Sequence, residues 1–467
     1  MNLKNRNFVT LDDFSNSEIE SLFSLSDEMN DNLVNQSSLC RNKIMASLFF
    51  EPSTRTRLSF ETAMHRLGGR VISAVDIGAT SLAKGESIAD MARVVGSYAD
   101  IIVIRHPWEG AAKVVADYAG VPVINAGDGG HEHPTQTLCD LYTLRSERQS
   151  IEGLRIALCG DLKYGRTVHS LTYALARFGA TILFQPYPGL ELPEHVLRRI
   201  TTMYDGEIKR STTFKNEVKE GVFPLNAIYI TPNSPHQLAM MPDINIQIET
   251  EADIDALYVT RLQKERYPDM LSKPSAENSY PVINKKLLRE KKFKRTLVMH
   301  PLPRVDELAY EIDTDPRSMY FKQAACGVPV RMALISLLLG ISKLTISEDD
   351  SSSPSPLREY TPYKKDSGLK CPNPLCVSNQ KTEMRYIKPE FKIINLNPLM
   401  LSCSYCEHEI TPIYIASSQW HEGGIKDKKY HSADSHMLKK IKPDNLIIFD
   451  SESSAQAQGF NPSSYSN

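Results

Sequence analysis

Residues 53–57, Ser-Thr-Arg-Thr-Arg, set three hydroxyl groups beside two guanidinium groups. A hydroxyl donates one hydrogen bond, and an arginine presents a planar fork of donors matched to phosphate oxygens. The apolar run at 44–50 reads as a buried strand. Glu51-Pro52 ends it, because proline cannot extend a hydrogen-bonded ladder. Beyond the run, Leu58, Phe60, Ala63, Met64 and Leu67 recur at helical spacing until Gly68-Gly69. The hydroxyl and guanidinium groups therefore lie where a strand gives way to a helix. Free N–H groups and the positive dipole end favour an anion there. A capped helix with an ordinary surface arginine is the competing reading.

Other reactive side chains gather at the ends of strand-like segments. Arg105-His106-Pro107 closes 101–104, and a loop from Asp128 to His133-Pro-Thr-Gln136 follows 121–125 and opens a helix. Gly160-Asp161-Leu-Lys163-Tyr-Gly-Arg166, Thr260-Arg261-Leu-Gln263 and His300-Pro301-Leu302-Pro303-Arg304 close later strands, while Ser81-Leu-Ala-Lys84 lies in a loop before a helix. In open α/β sheets ligands bind beyond the carboxyl ends of the strands. Arginines at 55, 105, 166, 261 and 304 there ask for several anionic groups. The sequence has no nucleophile elbow, P-loop or dinucleotide fingerprint. Group transfer by positioning and charge stabilisation is the favoured chemistry. His65 and His106 read as structural, Lys163 and Arg57 as solvated or ion-paired, and His133 as either a helix cap or a functional group.

Four of the eight cysteines are clustered, as Cys371-Pro-Asn-Pro-Leu-Cys376 and Cys403-Ser-Tyr-Cys406. Two close pairs of this kind place four thiolates around one structural zinc ion. Paired disulfides are the alternative, disfavoured in a reducing compartment. Cys40, Cys139, Cys159 and Cys326 are scattered and read as small buried residues; His421, His431 and His436 read as surface residues.

The elements that must position these groups alternate between strand and helix from 44 to about 345. That pattern predicts an α/β fold of two parallel-sheet domains covered by helices on both faces. Residues 1–148 and 149–345 are the expected domains, with a final amphipathic helix near 329–341 that could pack on either. Residues 346–365, including the Ser/Pro-rich run at 347–356, read as a linker. A small zinc-binding β domain with an extension is expected over 366–450, and a disordered tail over 451–467. The chain is 41% hydrophobic and 24% charged with net charge -2, which gives no basic field for nucleic acid or an anionic membrane. The polar start at 1–16 lacks a signal core, and the longest apolar run is about half the ~20 residues of a membrane span. A cytoplasmic protein is expected.

Taken together, Phe-Phe-Glu-Pro-Ser-Thr-Arg-Thr-Arg (49–57), Arg105-His106-Pro107, His133-Pro-Thr-Gln136 and His300-Pro-Leu-Pro303 resemble the carbamoyltransferases over about 1–345. Asp161-Leu-Lys-Tyr-Gly-Arg166 and Arg261-Leu-Gln263 resemble the aspartate branch of that family, whereas the Ser-Met-Gly loop and His-Cys-Leu-Pro of the ornithine branch are absent. The resemblance implies transfer of the carbamoyl group of carbamoyl phosphate to the α-amine of L-aspartate, a step of pyrimidine biosynthesis. It implies that Ser53, Thr54, Arg55 and Thr56 hold the phosphate, and that Thr56, Arg105 and His133 polarise the carbonyl oxygen. Gln136 and the backbone at Pro301 and Leu302 take the carbamoyl amino group. Arg166, Arg261 and Gln263 bind the aspartate carboxylates. Ser81 and Lys84 come from a neighbouring subunit of a catalytic homotrimer, and Glu51 pairs with Arg166 and Arg266 across closed domains.

Cys371, Cys376, Cys403 and Cys406 resemble the zinc ligands of the same enzyme's regulatory chain, which implies one structural Zn²⁺ per chain in a module fused to the catalytic part. That chain's nucleotide-binding domain has no room before residue 366, which speaks against nucleotide feedback through it. The module is then expected to serve assembly, for instance pairing two trimers. About thirty extra residues are expected within 186–250, and Lys84 stands alone where some relatives have two lysines. The competing readings are a different amine acceptor, a silent homologue, and a nucleic-acid-binding zinc ribbon using Arg385, Tyr386, Lys388 and Lys392.

Overall fold

The computed structural model describes residues 3–32, 36–75, 80–148, 151–163, 166–187, 189–203, 208–210, 227–231, 254–261, 282–344, 360–365, 368–418 and 428–463. Strands β1 (Ile44–Phe49), β2 (Arg70–Val75), β3 (Ile101–His106) and β4 (Val123–Asp128) form an all-parallel sheet in the order β2-β1-β3-β4. Its two faces enter different cores. Met45 and Phe49 join the cluster beneath α1 (Asn16–Asp31), α2 (Thr54–Arg66) and α5 (Pro134–Arg148). Ala46 and Leu48 join the one beneath α3 (Ile88–Tyr98) and α4 (Ala111–Tyr118). A strand covered on both sides is apolar on both faces, which is why 44–50 shows no polar alternation; its one polar residue, Ser47, donates to Glu61 at 3.0 Å.

The second sheet contains β5 (Arg155–Gly160), β6 (Thr181–Pro186), β7 (Ile208–Arg210), β8 (Ala227–Thr231), β9 (Ala256–Val259) and β10 (Leu297–Met299). It is parallel in the order β10-β9-β8-β5-β6-β7, with α6 (Arg166–Arg177), α7 (Glu194–Met203) and the short α8 (Lys285–Leu288). Much of the 186–250 stretch expected to carry extra residues lies outside the described residues. In each sheet the strand order reverses at one strand, β1 or β5. Such switch points leave a crevice at the carboxyl ends of the strands.

Helix α9 spans Tyr320–Leu338, nine residues earlier than its expected start at Pro329. It is not amphipathic: thirteen of its residues are buried, and it packs on α1, α2 and α5. Of the two placements expected for this helix, α9 takes the one against the first domain. Among the described residues it is the one helix long and apolar enough to cross a membrane, yet its surface is spent on this core.

The C-terminal part holds two small sheets. The first, antiparallel, is β11 (Thr361–Tyr363), β12 (Phe391–Leu396), β13 (Leu399–Cys403) and β14 (Glu409–Ile410). The second is β15 (Tyr414–Ser417), β16 (Lys429–Ser432), β17 (Leu446–Phe449) and β18 (Asn461–Pro462), closed by α10 (Glu452–Ala457). Residues 451–463 are therefore folded, contrary to the expected disordered tail. Ala455 and Phe460 pack with Ala416, Tyr430 and Phe449 in a core of their own. The cysteine module is also no bead on a linker: Phe391, Leu401 and Tyr405 share one continuous core with Ile88, Ile102 and Val115 of the first domain.

Candidate functional site

The carboxyl ends of β1 and β5 face a cleft of about 1110 Å³ between the two α/β domains, which Asn373, Leu375 and His408 of the cysteine module also help to line. The first domain lines it with Ser53, Thr54, Arg55, Thr56, Arg105, His133 and Gln136; the second contributes Lys163, Thr260, Arg261, His300, Pro301 and Leu302. At Ser15 and Ser87 the helix N-cap hydroxyl accepts a hydrogen bond from its own first turn. Ser53 makes no such cap bond, and no acidic residue stands in the first turn of α2. The donors of this helix end thus remain available to an anion. The Arg55 guanidinium is held below its ordinary pKa by partial burial and by the charge of Arg261 across the cleft. Two like charges brought face to face by different domains call for an anionic ligand between them.

Arg105 is buried and preorganised. Its Nη2 lies 3.1 Å from Glu51 Oε2, and its Nη1 donates to the Ala126 carbonyl at 3.3 Å. A register shift between Ile104 and His106 gives β4 one extra residue, which opens space for the arginine. Gly127 sits there at φ +120°, and a Cβ on it would come within 3.1 Å of Arg105 Nη1. The following loop is tied by Asp128, whose carboxylate accepts from Gly110 N at 2.8 Å, Glu132 N at 3.2 Å and His131 Nδ1 at 3.1 Å. That loop delivers His133 and Gln136. His106 turns inward instead: its Nδ1 accepts from Trp108 N at 3.0 Å, and burial pushes its pKa down to about 3.

At the last strand end, His300 Nδ1 accepts from Leu302 N at 2.8 Å while its Nε2 meets Glu307 at 2.7 Å. Leu302 has φ 53° and a cis bond to Pro303. Pro301, Leu302 and Pro303 line the cleft with the Leu302 N–H already engaged. Arg304 leaves the site, pairing with Asp313 and stacking on Tyr310 at 4.3 Å, so its grouping with the site arginines is corrected. Glu51 meets Arg105 here. Arg166 opens α6, but its side chain is not described; Gln263 and Arg266 lie outside the described residues. Ser81 and Lys84 form a short 3₁₀ turn, and the exposed Lys84 does not line this chain's own cleft.

The four clustered cysteines are buried, with ligand atoms all within 4.8 Å of one another. Cys371 and Cys406 sulfurs lie 3.5 Å apart, Cys376 and Cys403 sulfurs 3.8 Å, and none is in a disulfide. A tetrahedron with Zn–S bonds of about 2.3 Å has edges of roughly 3.8 Å, so the quartet fits such an ion.

Residue patterns did not expose how this module is held. Asn373 Nδ2 donates to Glu109 Oε2 at 2.6 Å, and the Glu383 carboxylate takes the Ile88 N–H at 2.9 Å. Tyr386, weighed above as a stacking residue for nucleic acid, instead faces Arg93, whose guanidinium lies 4.9 Å from its ring and 4.7 Å from that of Tyr118. On the second domain, Arg198 Nε meets Glu409 at 3.2 Å and Arg199 pairs with Glu407. Gln323, in the cleft lining, and Asp140, behind it, were also missed; the four-residue step from Gln136 to Asp140 on one helix face was the available signal.

Residues 6–146 match the family model "Aspartate/ornithine carbamoyltransferase, carbamoyl-P binding domain", and residues 234–338 match its "Asp/Orn binding domain". The chain belongs to the aspartate/ornithine carbamoyltransferase family. A catalytic subunit of aspartate carbamoyltransferase from Thermoplasma acidophilum is 47% identical over 340 residues, covering 72% of this chain and 99% of that protein. Its counterpart from Thermococcus gammatolerans is 46% identical over 344 residues, 73% of this chain and 100% of that one. Among solved structures, the M. jannaschii catalytic subunit superposes with TM-score 0.56 at 41% identity, over 71% of this chain and 97% of that one. The Trypanosoma cruzi enzyme in complex with carbamoyl phosphate and aspartate gives 0.58 at 35%, over 72% and 98%. Residues 366–415 match "Aspartate carbamoyltransferase regulatory chain, metal binding domain", so this carbamoyltransferase carries catalytic and regulatory-type spans in one chain.

Proposed function

We propose that the cleft transfers the carbamoyl group of carbamoyl phosphate to the α-amine of L-aspartate, giving N-carbamoyl-L-aspartate and phosphate. The observation that carries this reading is the opposition of two anion sites. The uncapped end of α2 with Arg55 faces Arg261, and Arg105, His133 and Gln136 line the same cleft. Phosphate fits the helix end, and the aspartate carboxylates fit Arg261 together with Arg166 and Gln263. The neutral amine attacks the carbonyl carbon. As the C–N bond forms, negative charge grows on the carbonyl oxygen, where Thr56, Arg105 and His133 supply donors fixed in advance. The C–O bond to phosphate then breaks, phosphate leaves with the electron pair, and the ammonium proton passes to phosphate or water. Gln136 Oε1 and the carbonyls of the 300–303 turn accept from the carbamoyl NH₂.

Lys84 and Ser81 are assigned to a neighbouring subunit's cleft in a homotrimer. Supporting this, Lys84 is exposed outside its own cleft, and the same domain exposes Leu58, Ile72, Val75, Val94 and Tyr98 as large apolar side chains. Zn²⁺ held by the four cysteines has a structural role, and the fused module is assigned to assembly as well as to bracing its own catalytic domains. The chain is assigned to the cytoplasm. Arg55→Ala tests the catalytic reading. Turnover should fall about 10²–10³-fold with unfolding unchanged; near-normal turnover would refute the assignment.

A further inference from the structure

Gln136 is not free to choose which end of its amide meets a substrate. It stands in the first turn of α5, and Asp140 follows one turn later on the same face. Gln136 Nε2 donates to Asp140 Oδ1 at 2.8 Å. Gln323 of α9 donates its Nε2 to the same oxygen at 2.8 Å, and the Tyr258 hydroxyl of β9 donates to Oδ2 at 2.9 Å. The other end of Gln323, Oε1, accepts from the His300 N–H at 3.0 Å. Asp140, Gln323 and Tyr258 are all buried.

An ionised carboxylate only accepts hydrogen bonds. Asp140 therefore takes three donors and permits each neighbouring amide a single orientation. Gln136 must spend its NH₂ on Asp140 and keep its carbonyl Oε1 for the cleft. Gln323 must point its carbonyl at His300, the residue whose Nδ1 already holds the Leu302 N–H. Both Gln136 and the 300–303 turn, which line this side of the cleft, are referenced to one buried carboxylate.

We propose that Asp140 is a positioning residue that fixes Gln136 as a hydrogen-bond acceptor and so makes the cleft select a carbamoyl NH₂ over a methyl group of the same shape. This rests on the carbamoyl-transfer reading and names a specificity element within it. With Gln136 flipped, two NH₂ groups would face each other, each a donor without an acceptor. Sites built to pair a polar group reject its apolar isostere because their own buried groups are then left unpaired.

The test compares carbamoyl phosphate with acetyl phosphate, which keeps the phosphate and carbonyl but carries CH₃ in place of NH₂. Asp140→Leu keeps the branched heavy-atom outline and removes the acceptor. It should weaken carbamoyl phosphate binding about 10-fold, the worth of roughly one hydrogen bond, and acetyl phosphate binding less than about 2-fold. Asp140→Asn should retain the preference, because its Oδ1 can accept from both amides while Nδ2 donates to the Tyr258 hydroxyl. In a Gln136→Ala background, Asp140→Leu should add no further loss. Equal weakening of both ligands, or an unchanged ratio in Asp140→Leu, overturns the proposal. If the leucine variant does not fold, Asp140→Ala is read for the same ratio. An unmutated protein that does not transfer carbamoyl groups refutes the underlying reading; an active one with an unmoved ratio refutes this inference alone.

Discussion

Replacing Arg199 with Met should cost this protein about 3–5 kcal/mol of stability, although the residue lies in no substrate site. Arg199 projects from α7 of the second domain into a junction of all three modules. It pairs with Asp12 and Glu132 of the first domain and with Glu407 of the cysteine module, and its guanidinium lies 4.1 Å from the centre of the Tyr173 ring. Its side chain is 13% exposed and that of Glu132 only 4%. Asp12 keeps Arg177 at 3.5 Å, and Glu407 keeps His131 at 3.7 Å. Burial alone would lower the His131 pKa, but Asp128 and Glu407 hold it well above the ordinary value. The loss therefore concentrates on Glu132. At 3.4 Å and an effective dielectric of about 20, its attraction to Arg199 is roughly 5 kcal/mol. Protonation of the stranded carboxylate limits the net cost to the usual 3–5 kcal/mol for breaking a buried pair. Burial raises the Glu132 carboxyl to about 8 against the pull of Arg199, so denaturant unfolding at about pH 9, where the pair is ionised, reads this directly. Adding Glu132→Gln to Arg199→Met should restore at least half of the loss. A single-variant effect below about 1 kcal/mol, or no rescue, would refute the reasoning.

Two further outcomes are expected. Chelation of the metal should lower the melting temperature of the first α/β domain as well as that of the cysteine module, because Phe391, Leu401 and Tyr405 belong to the core that holds Ile88 and Val115, and each such side chain contributes about 1.5–3 kcal/mol when buried. Two-probe thermal unfolding checks this, and loss of assembly with an unchanged domain melt would contradict it. Burial, the largest cause, raises the Asp140 carboxyl from 3.8 to about 6 despite its donors Gln136, Gln323 and Tyr258 and the charge of Arg331. The folded state then keeps a proton that the unfolded chain has lost, so this group's stabilising contribution is complete below about pH 4 and is lost as pH rises through 6. Relative to Asp140→Asn, the unmutated protein should lose on the order of 3 kcal/mol between pH 4 and pH 7; a pH-independent difference in denaturant unfolding would contradict that.

The parts legible in sequence were those with a local physical signature. Continuous apolar runs announced two-sided parallel strands, Pro52 and the hydroxyl residues after it marked a strand end opening a helix, and two close cysteine pairs announced a metal quartet. The parts that were not legible depend on long-range packing. The last helix was expected only from about 329, but burial of thirteen residues runs α9 from Tyr320 through Pro329. Of the second small sheet only the apolar piece Leu446–Phe449 reads as a strand, because Tyr430, Phe449 and Phe460 are far apart in sequence and their core forms only in the fold. Asp140 and Arg199 resemble ordinary polar residues of amphipathic helices. Only Tyr258 and Gln323 around the one, and Glu132 and Glu407 around the other, show that their charges are buried.

The central claim is that opposed anion sites from the two domains form one carbamoyl-transfer cleft. It is tested most directly by mixing the purified chain with carbamoyl phosphate and L-aspartate and measuring N-carbamoyl-L-aspartate and phosphate together. Equal amounts of both products, formed about 10²–10³-fold more slowly by Arg55→Ala with the fold intact, are predicted. Phosphate release without carbamoyl-aspartate, or no reaction at all, would contradict the account.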